Sequence, residues 1–125
     1  EWEDLSAVVK RLQLREPKAS RETLLHHAEV MTKPGAGKKR VWKRDRALML
    51  GYERPDAWAA LDTINCPTLL VRGADSTLLT HDVAVPMQAR IPDCQLVELG
   101  NAGHWCYDEN PGGFEQAVLS FLGKE

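Results

Sequence analysis

The chain has 125 residues, of which 43% are hydrophobic and 27% charged, a size and composition that fit one ordinary globular domain and exclude a disordered chain. No apolar stretch approaches the length of a membrane span, so no membrane partner is expected. The three cysteines, Cys66, Cys94 and Cys106, are an odd number at unrelated spacings. That pattern argues against a disulfide framework or a zinc site and favours the reducing cytoplasm.

The net charge of −2 is unevenly distributed along the chain. Residues 1–55 hold 13 Lys/Arg and 8 Asp/Glu, whereas residues 56–125 hold 3 and 10. A basic half can present an anion-binding face, but two structural layers with different surfaces give the same pattern, and we favour the layers. The composition changes at the same point, so we predict a domain boundary after residue 55.

Apolar residues at three- and four-residue spacing predict two helices in the first half. The first covers 2–14 and ends near Glu16-Pro17, because the residue before a proline disfavours the helical region. Ser20 is a candidate cap for the second helix. Residues 33–39 are expected to form a loop, and "RVWKRD" at 40–45 is either a short strand or the lead into another helix.

Strands and helices are predicted to alternate in the second half. The apolar run 68–71 follows a proline and is typical of a parallel strand buried on both faces. A helix over 81–90 comes next, and Pro86 within it predicts a kink or a late start. A second strand, "CQLVEL", precedes a helix that begins at Asn110-Pro111 and carries an apolar stripe. This order is typical of a βαβ layer.

Four segments, in this order, resemble the C-terminal half of an α/β-hydrolase: "CPTLLVRGADS", "HDVAVPMQARIP", "CQLVELGNAGHW" and "NPGGFEQAVLSFL". In that family a strand ends in glycine with an acid just after it, and a crossing helix, a second strand, a histidine loop and a final helix follow. The likeness covers about residues 58–123, and residues 1–55 resemble the helical cap (lid) that many such enzymes insert before this point. The resemblance implies an α/β fold of parallel strands with flanking helices, in which a cap segment (1–55) precedes the C-terminal βαβα part of the core (56–125).

The resemblance also implies roles for individual residues. His104 matches the family's catalytic base, since a neutral imidazole can take a proton from a nucleophile and a carboxylate then stabilises its charged form. Asp75 is expected to be the acid, although it stands second after Gly73, whereas the family places its acid third or fourth. A vacant acid position, Asp82 or an acid from elsewhere are the alternatives. Trp105, next to His104, is expected to line a substrate pocket.

The sequence contains no candidate for the family's nucleophile. That group sits in a Gly-x-Ser-x-Gly elbow or a version with Asp or Cys at its centre, and none of the four serines lies between glycines. In the family's chain order the elbow and the oxyanion stretch precede the cap. We therefore expect the C-terminal portion of a cofactor-independent hydrolase, an esterase, epoxide hydrolase or related enzyme. This chain alone is expected to be inactive, and an N-terminal half would complete the site for a small-molecule substrate.

Two strands with three helices cannot cover both faces and both edges of such a layer. The chain is therefore expected to form a homo-oligomer or a domain-swapped dimer, if no separate N-terminal half covers it. The alternative function is a free-standing, non-catalytic binding module derived from this fold, with a basic N-terminal face for an anionic partner.

Other binding motifs receive less support from the sequence. Seven Lys/Arg surround Trp42 in residues 33–46, which could bind nucleic acid, but a solvated surface explains the same composition and nucleic acid is not expected. "KPGAGKKR" fails the spacing of a phosphate loop. His26 and His27 are adjacent and would point about 100° apart on a helix, so no metal site is predicted.

Overall fold

The computed structural model describes residues 1–53 and 55–123, apart from the side chains of Arg46 and Met49. Contacts divide the chain into two compact units, Glu1–Arg54 and Pro55–Glu125. The assignment of the first unit to a cap stays a prediction. No helix within the described ranges is both long and apolar enough to cross a membrane.

The first unit combines two helices with a small antiparallel hairpin. Its elements are α1 (Leu5–Gln13), α2 (Arg21–Met31), β1 (Thr32–Pro34), β2 (Arg40–Trp42) and a 3-10 helix (Arg46–Met49). The Asp4 carboxylate accepts a hydrogen bond from the Ala7 N–H at the start of α1, and Ser20 Oγ caps α2 in the same way through the Thr23 N–H. Buried apolar side chains on both helices form the core of this unit: Val8, Leu12, Leu24 and Ala28.

Two alternatives were predicted for residues 40–45, a short strand or the lead into another helix, and the hairpin decides between them. Residues 40–42 pair with β1 as a strand. Trp2 extends the ladder, because its N–H donates to the Arg40 carbonyl at 2.8 Å and its carbonyl accepts from the Arg40 N–H at 2.9 Å. The periodicity of "RVWKRD" could not distinguish a strand from a helix, whereas these backbone partners do.

The second unit contains a parallel strand pair with flanking helices. Its elements are α3 (Trp58–Leu61), β3 (Thr68–Gly73), α4 (His81–Arg90), β4 (Cys94–Leu99), α5 (Cys106–Glu109) and α6 (Pro111–Phe121). The register places Thr68 opposite Cys94 and Gly73 opposite Leu99. Parallel strands need a crossover connection, and α4 lies within it. The predicted order of strand, helix, strand and helix is therefore confirmed.

The sequence predictions for α6 and α4, the two longer helices of the second unit, are correct only in part. The Asn110 side chain accepts a hydrogen bond from the Gly113 N–H at 3.0 Å, with Pro111 in the first turn of α6, as predicted. The late start expected of α4 does not occur, since the helix begins at His81 and continues through Pro86. Val83 on α4 is 37% exposed.

The core of the second unit lies near the carboxyl end of β4. Leu99, Ala102 and Cys106 are buried there, and the half-buried Val71, Val97 and Phe114 pack against them. The expectation that 68–71 is buried on both faces is wrong, because all four residues are half-buried and only one strand pairs with β3 in the described part of the chain. The described residues of α6 likewise include none that is fully buried.

Arg72 ties the end of β3 to the loop that follows it and to β4. Its side chain is 3% exposed and donates hydrogen bonds to the carbonyl oxygens of Leu79 at 2.9 Å and Ala74 at 3.1 Å. A third nitrogen lies 2.9 Å from a carboxylate oxygen of Glu98. The hydrogen bond from His81 and the positive charges of His81 and Arg72 lower the pKa of Glu98.

Replacing Arg72 tests how much this arrangement stabilises the fold. Arg72→Met should lower the free energy of unfolding by about 2–3 kcal/mol, because it leaves two loop carbonyls without their donor and removes one of the two partners of the Glu98 carboxylate. Urea denaturation measures the change. Arg90→Met is the matched control, since Arg90 pairs with Asp62 at the surface and should matter less. An equal loss in the two variants would contradict the structural role of Arg72.

Candidate active site

Two loops meet at the carboxyl edge of the parallel pair, the place where α/β sheets form their sites. The loop after β3 carries Asp75, and the loop after β4 carries His104. Backbone hydrogen bonds join them, because the Ala74 N–H donates to the Leu99 carbonyl at 2.8 Å and the Asp75 N–H donates to the Ala102 carbonyl at 2.9 Å. The relative position of the two loops is therefore set by main-chain atoms.

Gly73 permits this close approach. A Cβ atom at this position would lie 2.1 Å from the Gly103 carbonyl oxygen and 2.4 Å from that of Ala102. Real Cβ atoms do not come so near a backbone oxygen, so only glycine fits unless the histidine loop moves. The glycine at the end of the strand is thus a packing requirement of the histidine loop.

Residues on both sides of His104 shape its loop. Asn101 adopts a left-handed conformation with φ of 55°, which asparagine tolerates better than most residues. The Glu109 carboxylate accepts a hydrogen bond from the Gly103 N–H. Asn110 uses its side-chain nitrogen to donate to the Gly100 carbonyl at 3.1 Å. These bonds attach the loop to the segment where α6 begins.

The His104 ring contacts a hydroxyl group. His104 is exposed, and its Nδ1 lies 3.4 Å from Ser76 Oγ, a long hydrogen bond. Ser76 is only 6% exposed, and its oxygen also accepts from the Leu79 N–H at 3.2 Å. A hydroxyl oxygen has two lone pairs, so Ser76 can accept from Leu79 and from a protonated Nδ1 together. The serine can therefore orient the ring in the tautomer that leaves Nε2 unprotonated.

Sequence reasoning missed Ser76. It stands third after Gly73, which is the place where the family has its acid, but only carboxylates were considered for that role. Counting residues from Gly73 without regard to their charge would have singled it out. A hydroxyl can hold the ring but carries no charge, so it stabilises an imidazolium less than a carboxylate does.

The other residues predicted for the site are Asp75, its alternative Asp82, and Trp105. Asp75 is exposed, and so is the alternative acid, Asp82, on α4. The hydrogen bond that the described structure gives to the His104 ring is with Ser76, and the acid role of Asp75 stays a prediction. Trp105 is half-buried, and its carbonyl accepts from the Glu109 N–H at 3.0 Å, so it is the N-cap residue immediately before α5. Its role in a substrate pocket also stays a prediction.

A methyl group at Gly73 should disturb the site. We expect Gly73→Ala to lower the free energy of unfolding by about 2 kcal/mol or more, because the added carbon forces the histidine loop away from β3. Gly100→Ala is the control, since a Cβ there meets nothing within 4 Å. Thermal unfolding measures stability, and the NMR signals of the His104 ring report the loop. Unchanged spectra and stability in Gly73→Ala would contradict the close contact.

Removing the Ser76 hydroxyl should change the His104 ring. In Ser76→Ala we expect the balance of the two neutral tautomers to shift, because Nδ1 loses its protein partner. Nitrogen-15 NMR of the imidazole measures the tautomers directly. Ser120→Ala on exposed α6 is the control and should leave the ring signals unchanged. The same tautomer balance in Ser76→Ala and the native protein would rule out an orienting role for Ser76.

Comparison with known proteins identifies relatives of about half of the chain. No model of a known protein family matches the sequence. A 2-hydroxy-6-oxononadienedioate/2-hydroxy-6-oxononatrienedioate hydrolase of Cupriavidus pinatubonensis is 34% identical over 68 residues, which are 54% of this chain and 24% of that enzyme. The sn-1-specific diacylglycerol lipase ABHD11 of Mus musculus is 36% identical over 56 residues, which are 45% of this chain and 18% of the lipase.

A solved structure extends the likeness in fold to nearly the whole chain. The crystal structure of E-2-(acetamidomethylene)succinate hydrolase matches with a TM-score of 0.85 at 24% identity, over 98% of this chain and 46% of that one. The chain thus spans less than half the length of these hydrolases. The predicted α/β fold is confirmed, with parallel strands, flanking helices and only part of the complete architecture. The sequence relatives are hydrolases and the fold is that of the α/β hydrolases, and together they support the α/β-hydrolase superfamily for this chain.

Proposed function

We propose that this chain forms the C-terminal part of a hydrolase in which His104 is the catalytic base. The observation that carries the proposal is the contact of the two loops across Gly73, which puts the His104 ring at the carboxyl edge of β3 and β4. The relatives named above are hydrolases, and the matches span only a part of each. In this proposal residues 1–55 are the cap and residues 56–125 belong to the core.

The chemistry of the base depends on which ring nitrogen carries the proton. For His104 to accept a proton through Nε2, its Nδ1 must be protonated and must donate to a neighbouring acceptor. Ser76 Oγ is the acceptor at hand. We retain Asp75 as the proposed acid, since a carboxylate is needed to stabilise the imidazolium that forms. Trp105 would line the pocket of the small-molecule substrate in the complete enzyme.

The nucleophile would have to come from another polypeptide segment, because the sequence contains no elbow motif. The coding sequence upstream of Glu1 is the direct place to look for Gly-x-Ser-x-Gly in the same reading frame. The identity of the central residue of that motif would separate an esterase from an epoxide hydrolase or a related enzyme. The expected compartment is the cytoplasm, because three cysteines at unrelated spacings argue against a disulfide framework.

An activity assay tests the role of His104. The purified chain should not hydrolyse p-nitrophenyl esters faster than its His104→Ala variant, because a base without a nucleophile contributes little to the rate. When the chain is co-expressed with its upstream segment, hydrolysis should appear and should fall by at least about a thousandfold in His104→Ala. His81→Ala is the matched control and should retain activity, since this exposed histidine pairs with Glu98. Turnover by the chain alone that is lost in His104→Ala would contradict the proposal.

The half-buried faces of β3 and α6 support the partner expected from the sequence. A homo-oligomer or domain-swapped dimer would cover them, and so would an N-terminal half of the hydrolase. The molar mass of the purified chain, measured by light scattering, tests the first of these. A monomer at all concentrations would leave the N-terminal half as the proposed covering.

The alternative function, a non-catalytic binding module with an anionic partner, has a separate observation in its favour. Three guanidinium groups of the first unit, those of Arg11, Arg15 and Arg44, line one cavity together. All residues that line this cavity belong to the unit Glu1–Arg54.

A further inference from the structure

The unit Glu1–Arg54 contains a cavity of about 500 Å³, which the proposed catalysis at His104 does not use. Three arginines, two tryptophans and one leucine form its wall: Trp2, Arg11, Leu12, Arg15, Trp42 and Arg44. This volume lies within the range of small-molecule pockets in proteins. The cavity therefore has the size to take a small organic molecule rather than a single ion.

Local structure explains why these side chains converge. Arg11 and Arg15 are four residues apart around the end of α1, and residues at this spacing share one side of a helix. The Arg15 N–H still bonds the Leu12 carbonyl, at 2.9 Å, so the turn continues past the last residue of α1. Leu12 lies between them, is 3% exposed and supplies an apolar wall. The hairpin contributes Trp42 from the end of β2.

Among the described residues, no ion pair balances the charges of the cavity. Arg11, Arg15 and Arg44 are exposed, and none of them forms an ion pair with a carboxylate in the described part of the chain. Lys39 in the same unit, by contrast, pairs with Glu1 at 3.1 Å. Three like charges around one cavity repel one another, and a bound anion would relieve that repulsion. A planar guanidinium binds a carboxylate through two parallel hydrogen bonds, which favours carboxylates as ligands.

The two tryptophans add a preference for flat, unsaturated molecules. The Trp2 and Trp42 rings meet edge to face, with centroids 6.0 Å apart and planes at 85°. Both are half-buried, so part of each ring surface is exposed. Indole surfaces stack on planar rings and attract them more than they attract aliphatic chains of the same charge. An aromatic ring with several carboxylates satisfies both the indoles and the guanidinium groups.

We propose that this cavity is a binding site for a small aromatic polycarboxylate, whose ring packs on Trp2 and Trp42 while its carboxylates bind Arg11, Arg15 and Arg44. The site lies within the unit Glu1–Arg54 and does not depend on the proposed role of His104. A protein with this site would recognise aromatic acids whether or not a nucleophile completes the hydrolase.

Titration of the full chain with benzene-1,3,5-tricarboxylate tests the proposal. Isothermal titration calorimetry should show saturable one-to-one binding. Arg11→Gln and Arg15→Gln should each weaken it at least about tenfold, since each removes a charge-assisted hydrogen bond. Arg21→Gln is the matched control, because Arg21 is exposed at the start of α2 and is not part of the cavity wall. Equal weakening in all three variants would show a general charge effect and would overturn the site.

Two further ligands, a tricarboxylate without a ring and inorganic phosphate, distinguish the contribution of the aromatic ring to binding from that of the charges. Propane-1,2,3-tricarboxylate has the same number of carboxylates without a ring and should bind at least about tenfold more weakly, because it cannot stack. Trp42→Leu should remove most of this difference. Equal binding of the two tricarboxylates, or of inorganic phosphate, would overturn the aromatic preference. A single-stranded oligonucleotide that displaces the tricarboxylate and binds more tightly would assign the basic surface to nucleic acid instead.

Two controls keep these results interpretable. Circular dichroism should show native helix content in the arginine variants, since the exposed side chains of Arg11 and Arg15 add little to the core. His104→Ala should bind benzene-1,3,5-tricarboxylate as the native chain does. Loss of binding in His104→Ala would place the ligand at the histidine loop and contradict the proposal, whereas lost esterase activity in that variant tests only the proposed function.

Discussion

The contact between the end of β3 and the histidine loop is the constraint on which the second unit depends. The Ala102 and Gly103 carbonyl oxygens occupy the space that a side chain at position 73 would need. That closeness lets two backbone hydrogen bonds join the loops and places Ala102 in the core beside Leu99. Packing and site geometry therefore share one cause, and a larger residue at Gly73 would disturb both.

The buried Arg72 guanidinium determines the conformation of the loop after β3, which lies at the same edge of the strand pair. The Arg72 side chain is only 3% exposed, and two loop carbonyls and Glu98 are its partners. A buried guanidinium without such partners would be costly, so the loop between β3 and α4 is held in the conformation that satisfies it. Ser76 belongs to that loop. The position of its hydroxyl beside His104 thus follows from the requirements of Arg72 as well as from those of Gly73.

The two units carry different chemistry. The acidic second unit holds His104, whose ring contacts the Ser76 hydroxyl, and proton transfer is the chemistry proposed for it. The basic first unit holds guanidinium groups and indole rings around a cavity, and anion binding is the function proposed for it. The uneven charge along the sequence reflects this division. The asymmetry coincides with the division into two units, and the anion-binding face stays a proposal.

Local sequence determined much of the fold. Caps such as Asp4, Ser20 and Asn110 act on backbone groups only a few residues away, so their helices could be predicted from the sequence alone. The segments around β3, β4 and the histidine loop resemble the α/β-hydrolase family in their order along the chain, and this resemblance implied the fold. The strand at 40–42 was not decided in this way, since a short strand exists only through its partners.

Tertiary structure decided which groups meet. Ser76 faces His104 although 28 residues separate them, and no pattern of residue types records a distance of 3.4 Å. The convergence of Arg11, Arg15 and Arg44 on one cavity likewise depends on how the hairpin packs against α1. Most of β3 is half-buried because, in the described part of the chain, only β4 pairs with it. Its apolar composition indicates which side chains can be buried, but the number of neighbouring strands decides how far they are. Sequence determined the elements and the chemical groups available, and long-range packing alone determined their contacts, because contact depends on the three-dimensional path of the chain.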